Sequence, residues 1–153
     1  MKKIYLSVVC LLISIPLIAQ LYVEPEKEVE CSVFLAKEGR GRAQQGLEIW
    51  DDYIFSCEDG GHVNIYDFKS ADPKPVAGFE LASSHPDNHV NNVCFGVETK
   101  RGASFPLLYI TNGKVGSELE WLCFVESITR RGKRFSSEIA QTIELDGSKW
   151  AEK

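Results

Sequence analysis

Apolar and polar positions along the chain fall into short runs rather than helical stripes. After the first twenty residues almost no window carries apolar residues at i, i+3, i+4 and i+7. Runs of β-branched and aromatic residues recur instead between clusters of Gly, Pro, Asn, Asp and Ser, which is the all-β pattern. Residues 53–57 and 62–68 are two such runs. Between them stands Glu58-Asp59-Gly60-Gly61, where glycines supply the positive φ a tight hairpin needs. A connection with two prolines follows at 71–75, then a strand at 76–81, which Ser83, Ser84, Pro86 and Asp87 bring to an end.

The second half replays that order: a strand at 93–97, a loop at 102–106, a strand at 107–111, the turn Asn112-Gly113 and a long strand at 119–128. A basic tip then leads into a last strand at 135–145. Lined up by role, residues 47–49 answer to 93–95, 53–56 to 107–111, 63–67 to 122–126, and 79–81 to 139–143. The chain therefore holds two units of about 45–55 residues, each of four successive strands, the size and content of propeller blades.

The segments Gly46-Leu47-Glu48-Ile49-Trp50-Asp51-Asp52-Tyr53-Ile54-Phe55 and His62-Val63-Asn64-Ile65-Tyr66-Asp67-Phe68 carry a resemblance. So does His89-Val90-Asn91-Asn92-Val93-Cys94-Phe95-Gly96 followed by Phe105-Pro106-Leu107-Leu108-Tyr109-Ile110. Together they resemble the blade repeats of secreted bacterial β-propellers of the WD40-like and quinoprotein-like kind, over about residues 43–145. The resemblance implies a fold rather than an activity. Trp50-Asp51 falls at a turn and closes neither repeat. A closed propeller takes at least about four blades, so two blades imply a truncated or partial propeller. A ring of several copies and a small β-sandwich are the other arrangements that fit. Open blade edges would favour self-association.

The N-terminus changes the picture next. Met1-Lys2-Lys3 is a short cationic start, and residues 4–18 are apolar apart from Ser7, Ser14 and Pro16. That order is the n-region and h-region of a secretory signal peptide. The run is shorter than the roughly 20 residues of a spanning helix, and Glu24, Glu26, Glu28 and Glu30 follow it, so cleavage after Ala19 is expected and no stable membrane anchor remains. Cys10 lies in mid-run, a poor position for lipid attachment. The expected organisation is a signal peptide at 1–19, a leader at 20–42 and a partial propeller at 43–153. Blade one spans about 43–82 and blade two about 89–145. The protein is expected in the periplasm or outside the cell.

Roughly 130 residues then remain, enough for one ordinary domain. With 44% apolar and 25% charged residues the chain has a globular composition. Its net charge of -5 becomes more acidic when Lys2 and Lys3 leave with the signal. Nucleic acid is therefore not an expected partner, since that attraction rests on clustered Lys and Arg. The one basic run, Arg130, Arg131, Lys133 and Arg134 around Gly132, reads as a solvated hairpin tip. Of the cysteines beyond the signal, Cys57, Cys94 and Cys123 sit inside apolar strand patterns and read as buried thiols. A disulfide framework including Cys31 is the alternative.

The densest polar cluster runs from Ser83 to Asn92. Within it His85, Asp87 and His89 are the candidate metal ligands, imidazoles flanking a carboxylate. The competing reading is a loop held by local side-chain-to-backbone bonds. His62 reads as a structural cap at a strand start. The pairs Asp51-Asp52 and Glu58-Asp59 read as solvated turn acids, since neighbours on a strand face opposite ways. The aromatic residues Trp50, Tyr53, Phe55, Tyr66, Phe68, Phe95, Tyr109, Trp121 and Phe124 read as mostly core. The chain carries no nucleophile elbow, HExxH pair or phosphate-binding loop, so no catalytic residue and no cofactor is expected. The expected function is a non-enzymatic exported module that binds or scaffolds a protein or glycan. The alternatives are a fragment of a propeller hydrolase or lyase, with Glu48, Asn91 and Asn92 converging on one pocket, and an inactive truncated product.

Overall fold

The computed structural model describes residues 43–72 and 74–146. The expected signal peptide, the leader, Cys31 and the last seven residues lie outside them. Eight strands follow in order: β1 Gln44–Trp50, β2 Tyr53–Glu58, β3 His62–Asp67, β4 Ala77–Glu80, β5 Asn92–Phe95, β6 Leu108–Thr111, β7 Leu122–Arg131 and β8 Arg134–Glu144. They form two four-stranded antiparallel sheets of order β1-β2-β3-β4 and β5-β6-β7-β8, and the described residues contain no helix. The fold is all-β, as the strand pattern predicts. The two expected repeats are these two sheets, strand for strand.

The sheets stack with β1 beside β5 and β4 beside β8. This arrangement is common to neighbouring propeller blades and to a small sandwich. The core lies between them. Phe55 is fully buried at its centre, with its ring edge-on to Phe95 at 5.0 Å, Phe105 at 5.1 Å and Phe135 at 6.4 Å between centroids. Val63, Ile65 and Phe79 of the first sheet meet Val93, Leu108, Ile110, Phe124 and Ile128 of the second. Three of the aromatic residues expected inside are instead largely exposed: Trp50, Phe68 and Trp121. Phe79, Phe105 and Phe135 do that packing.

Cys57 belongs to this core and Cys123 is buried, both as free thiols; Cys94 is exposed. The last is a departure from the buried reading. Cys94 follows Val93, which points inward, and a strand's alternation turns the next side chain outward. Glu58 departs from expectation more sharply, since it is fully buried. Its Oε1 accepts a bond of 2.8 Å from Asn64 Nδ2, whereas Oε2 has no hydrogen-bond partner among the described residues.

Candidate functional site

Two polar regions stand out: the connection between the sheets, and a groove on the β7–β8 hairpin. The connection carries the expected metal candidates. After β4 the chain wraps around the turn Glu58-Asp59-Gly60-Gly61. Leu81 N donates to Gly61 O at 2.8 Å, His85 N to Gly60 O at 3.2 Å and Gly60 N to Asn88 O at 2.7 Å. The approach is close enough that a Cβ on Gly61, whose φ is +96°, would lie 2.8 Å from Ser84 Cα. Only glycine serves there.

Buried polar side chains hold the rest of this segment. Glu126 of β7, fully buried, accepts from Ala82 N at 3.0 Å and Ser83 N at 2.8 Å. Asn88, also fully buried, donates to Ser83 O at 2.9 Å and accepts from Val90 N at 3.1 Å. The latter bond helps hold Val90 at a φ of +44°, a conformation β-branched residues rarely adopt. Asn112 accepts from His89 N at 3.0 Å and donates to Asp87 O at 3.1 Å.

The three candidate ligands each meet a different neighbour. His85 Nδ1 accepts from Asp87 N at 3.1 Å, the Asp87 carboxylate pairs with Lys114, and His89 Nε2 lies 3.7 Å from Asp59 Oδ1. The hydrogen bond from Lys114 holds the Asp87 carboxyl below its ordinary range. Among the described residues no group of three His, Cys, Asp or Glu side chains is placed to hold a metal ion. Local side-chain-to-backbone bonds run through the loop. His62 likewise serves the sheet: its Nδ1 lies 3.0 Å from Glu80 Oε1, directly across β3 and β4.

Glu48, Asn91 and Asn92 do not line the groove on the β7–β8 hairpin. Glu48 Oε2 accepts from Phe95 N at 3.3 Å and so ties β1 to β5, and Asn91 packs against Gly113. Near Phe55 the core is dry enough to push the Cys57 thiol up to about 12, through burial first and the Glu126 charge second. Such a thiol is an inert packing group.

The groove lies on the hairpin, with a cavity volume of about 600 Å³, lined by Ser127, Thr129, Arg131, Arg134, Phe135, Ser136, Ser137 and Glu138. Its geometry follows from the two-residue turn at Gly132-Lys133, where Gly132 has a φ of +64°. That turn fixes the register Arg131↔Arg134, Thr129↔Ser136 and Ser127↔Glu138. Alternation then puts these six side chains on one face of the hairpin. The opposite face carries Ile128 and Phe135 into the core. At one end Lys100 Nζ crosses to Glu138 Oε1 at 2.8 Å. At the other end the basic tip is exposed, as the hairpin reading expects, with Arg130 lying 4.9 Å above the Tyr53 ring. Sequence reasoning passes over this groove because its residues are ordinary singly. Only the register, readable from Gly132-Lys133 between alternating rows, gathers them.

No protein-family model and no curated protein matches the chain. Among solved structures it is similar to KlHsv2 with loop 6CD replaced by a Gly-Ser linker, at 11% identity and a TM-score of 0.43. The likeness covers 67% of this chain and 31% of that one, so the chain spans about a third of that protein's length.

Proposed function

We propose that this chain is an exported, non-enzymatic binding or scaffolding module of β-propeller type, its partner a protein or a glycan. The observation that carries the reading is the stack itself: two sheets with the same strand order, like edge beside like edge, joined by a connection whose polar residues are committed to holding it. The resemblance of the repeats to secreted propeller blades supports the same reading. The residues 1–19 supply the export signal. Surface chemistry supports binding over catalysis, because the groove offers hydroxyls and guanidinium groups without a nucleophile held by a base. Leu47, Ile49 and Trp50 are exposed on the edge strand β1, and this edge is our proposed route to self-association.

The test begins with the full chain expressed in a host that exports proteins. The protein recovered from the periplasm or medium is expected to start at or near Gln20, by intact mass, and to bind at least one member of a panel of extracellular proteins and glycans. Retention in the cytoplasm with an uncleaved N-terminus would overturn export. An exported, folded protein that binds nothing on the panel while cleaving a glycosidic substrate would overturn the binding reading in favour of an enzyme.

A further inference from the structure

The β7–β8 groove carries an inference that deepens the binding reading and rests on it. Arg131 and Arg134 stand directly opposite each other across the hairpin, an arrangement of like charges that weakens strand pairing. Neither guanidinium has an ion-pair partner among the described residues. Their neighbour Arg130 is occupied differently, its Nε donating to Gly132 O at 2.8 Å. An acidic chain of net charge -5 thus places two arginines side by side at the mouth of a groove, neither paired among the described residues.

The groove floor adds the second half of the argument. Behind the arginines come Thr129 beside Ser136, then Ser127 beside Glu138. Each hydroxyl both donates and accepts, the capacity that sugar hydroxyls match. Glu138 is engaged by Lys100 at 2.8 Å, so the far end presents a neutralised pair rather than a bare carboxylate that would repel an anion. From Arg131 to Ser127 the floor runs about 13 Å along the strand. A volume near 600 Å³ falls in the range of small-ligand sites.

We infer that this groove binds an acidic oligosaccharide, with a sugar carboxylate held in the fork of Arg131 and Arg134 and ring hydroxyls bonded to Thr129 and Ser136. Guanidinium groups suit a carboxylate because their planar N–H donors match its two oxygens.

The experiment is calorimetric titration of the exported protein with an oligogalacturonate of defined length, with a neutral maltooligosaccharide of equal length, and with sodium sulfate. The oligogalacturonate is expected to bind, more weakly as salt rises, and the neutral sugar and sulfate to bind at least about tenfold more weakly. The Arg131→Gln/Arg134→Gln double variant is expected to lose at least about tenfold in affinity. Because it removes a like-charge pair, it should melt no lower than the parent, which separates lost binding from lost folding. Thr129→Val, which keeps the β-branched shape, is expected to weaken binding severalfold. Absence of oligogalacturonate binding, or binding that the double variant leaves unchanged, would overturn this site. Sulfate binding as tightly as the oligosaccharide would overturn the sugar and leave a simple anion site. A different panel member binding undiminished to the double variant would overturn the groove inference while preserving the binding-module reading.

Discussion

Glu126 ties the two sheets through buried hydrogen bonds, and its replacement gives a measurable test. Its carboxylate reaches from β7 of the second sheet to the backbone leaving β4 of the first, accepting from Ser83 N at 2.8 Å and from Ala82 N at 3.0 Å. Ala82 N also donates to Ser137 Oγ at 2.9 Å, so it keeps a partner when the carboxylate is removed. Ser83 N does not. A hydrogen bond to a charged group contributes about 1.5–3 kcal/mol, and an orphaned buried donor costs about 1–3 kcal/mol. Counting one bond lost fully and one partly, Glu126→Ala is expected to destabilise the fold by about 3 kcal/mol, a large part of the roughly 5–15 kcal/mol of an ordinary domain. Glu126→Gln retains an acceptor oxygen but loses the charge, and about 1–2 kcal/mol is expected. Urea unfolding at neutral pH reads this directly. With a slope near 2 kcal/mol/M, the alanine variant should unfold about 1.5 M earlier at unchanged slope. A shift below about 0.5 kcal/mol for Glu126→Ala would refute the claim that this carboxylate bolts the sheets together.

Three further outcomes follow from other parts of the molecule. Gly61→Ala combines a φ of +96° with a Cβ 2.8 Å from Ser84 Cα; a loss of about 2–4 kcal/mol is expected, and a neutral result in thermal melts would refute the close packing of the turn. The Cys57 thiol, raised from 9.0 to about 12 in the fold, keeps its stabilising neutral form below pH 9; stability should fall as pH rises from there toward 12, and Cys57→Ala should flatten that slope. Asp87 titrates below its ordinary range because of Lys114, so its contribution is present above about pH 4 and lost as pH falls through its folded value. The stability difference between the parent and Asp87→Asn should therefore shrink on acidification; a difference that stays constant from pH 6 to pH 2 would contradict the pairing.

The strand order was legible because each strand is bounded by residues with a physical reason to turn, such as Gly60-Gly61 and Gly132-Lys133, and because β-branched and aromatic runs do not support a helix. Strand ends were less legible: the segment at 119–121 reads as apolar enough to extend a strand, yet β7 begins at Leu122 and runs on to Arg131, carried by pairing with β8. Long-range polar contacts were not legible at all. Nothing local marks Glu126 as the acceptor for amides more than forty residues away, or Glu58 as buried while the adjacent turn is hydrophilic. The cluster from Ser83 to Asn92 was visible as polar, but the bonds that Asn88 and Asn112 make to its backbone, and Lys114 to the Asp87 carboxylate, were not. The groove needed the register of the last hairpin before its residues could be counted together.

The central claim is that both sheets share one core and form one stack. Differential scanning calorimetry of the purified protein at several concentrations tests it most directly. The account predicts a single transition with equal calorimetric and van't Hoff enthalpies, lowered as a whole by Phe55→Ala, which removes the ring at the centre of the core. Two separate transitions, one of them unmoved by Phe55→Ala, would contradict it and return the chain to two independent sheets.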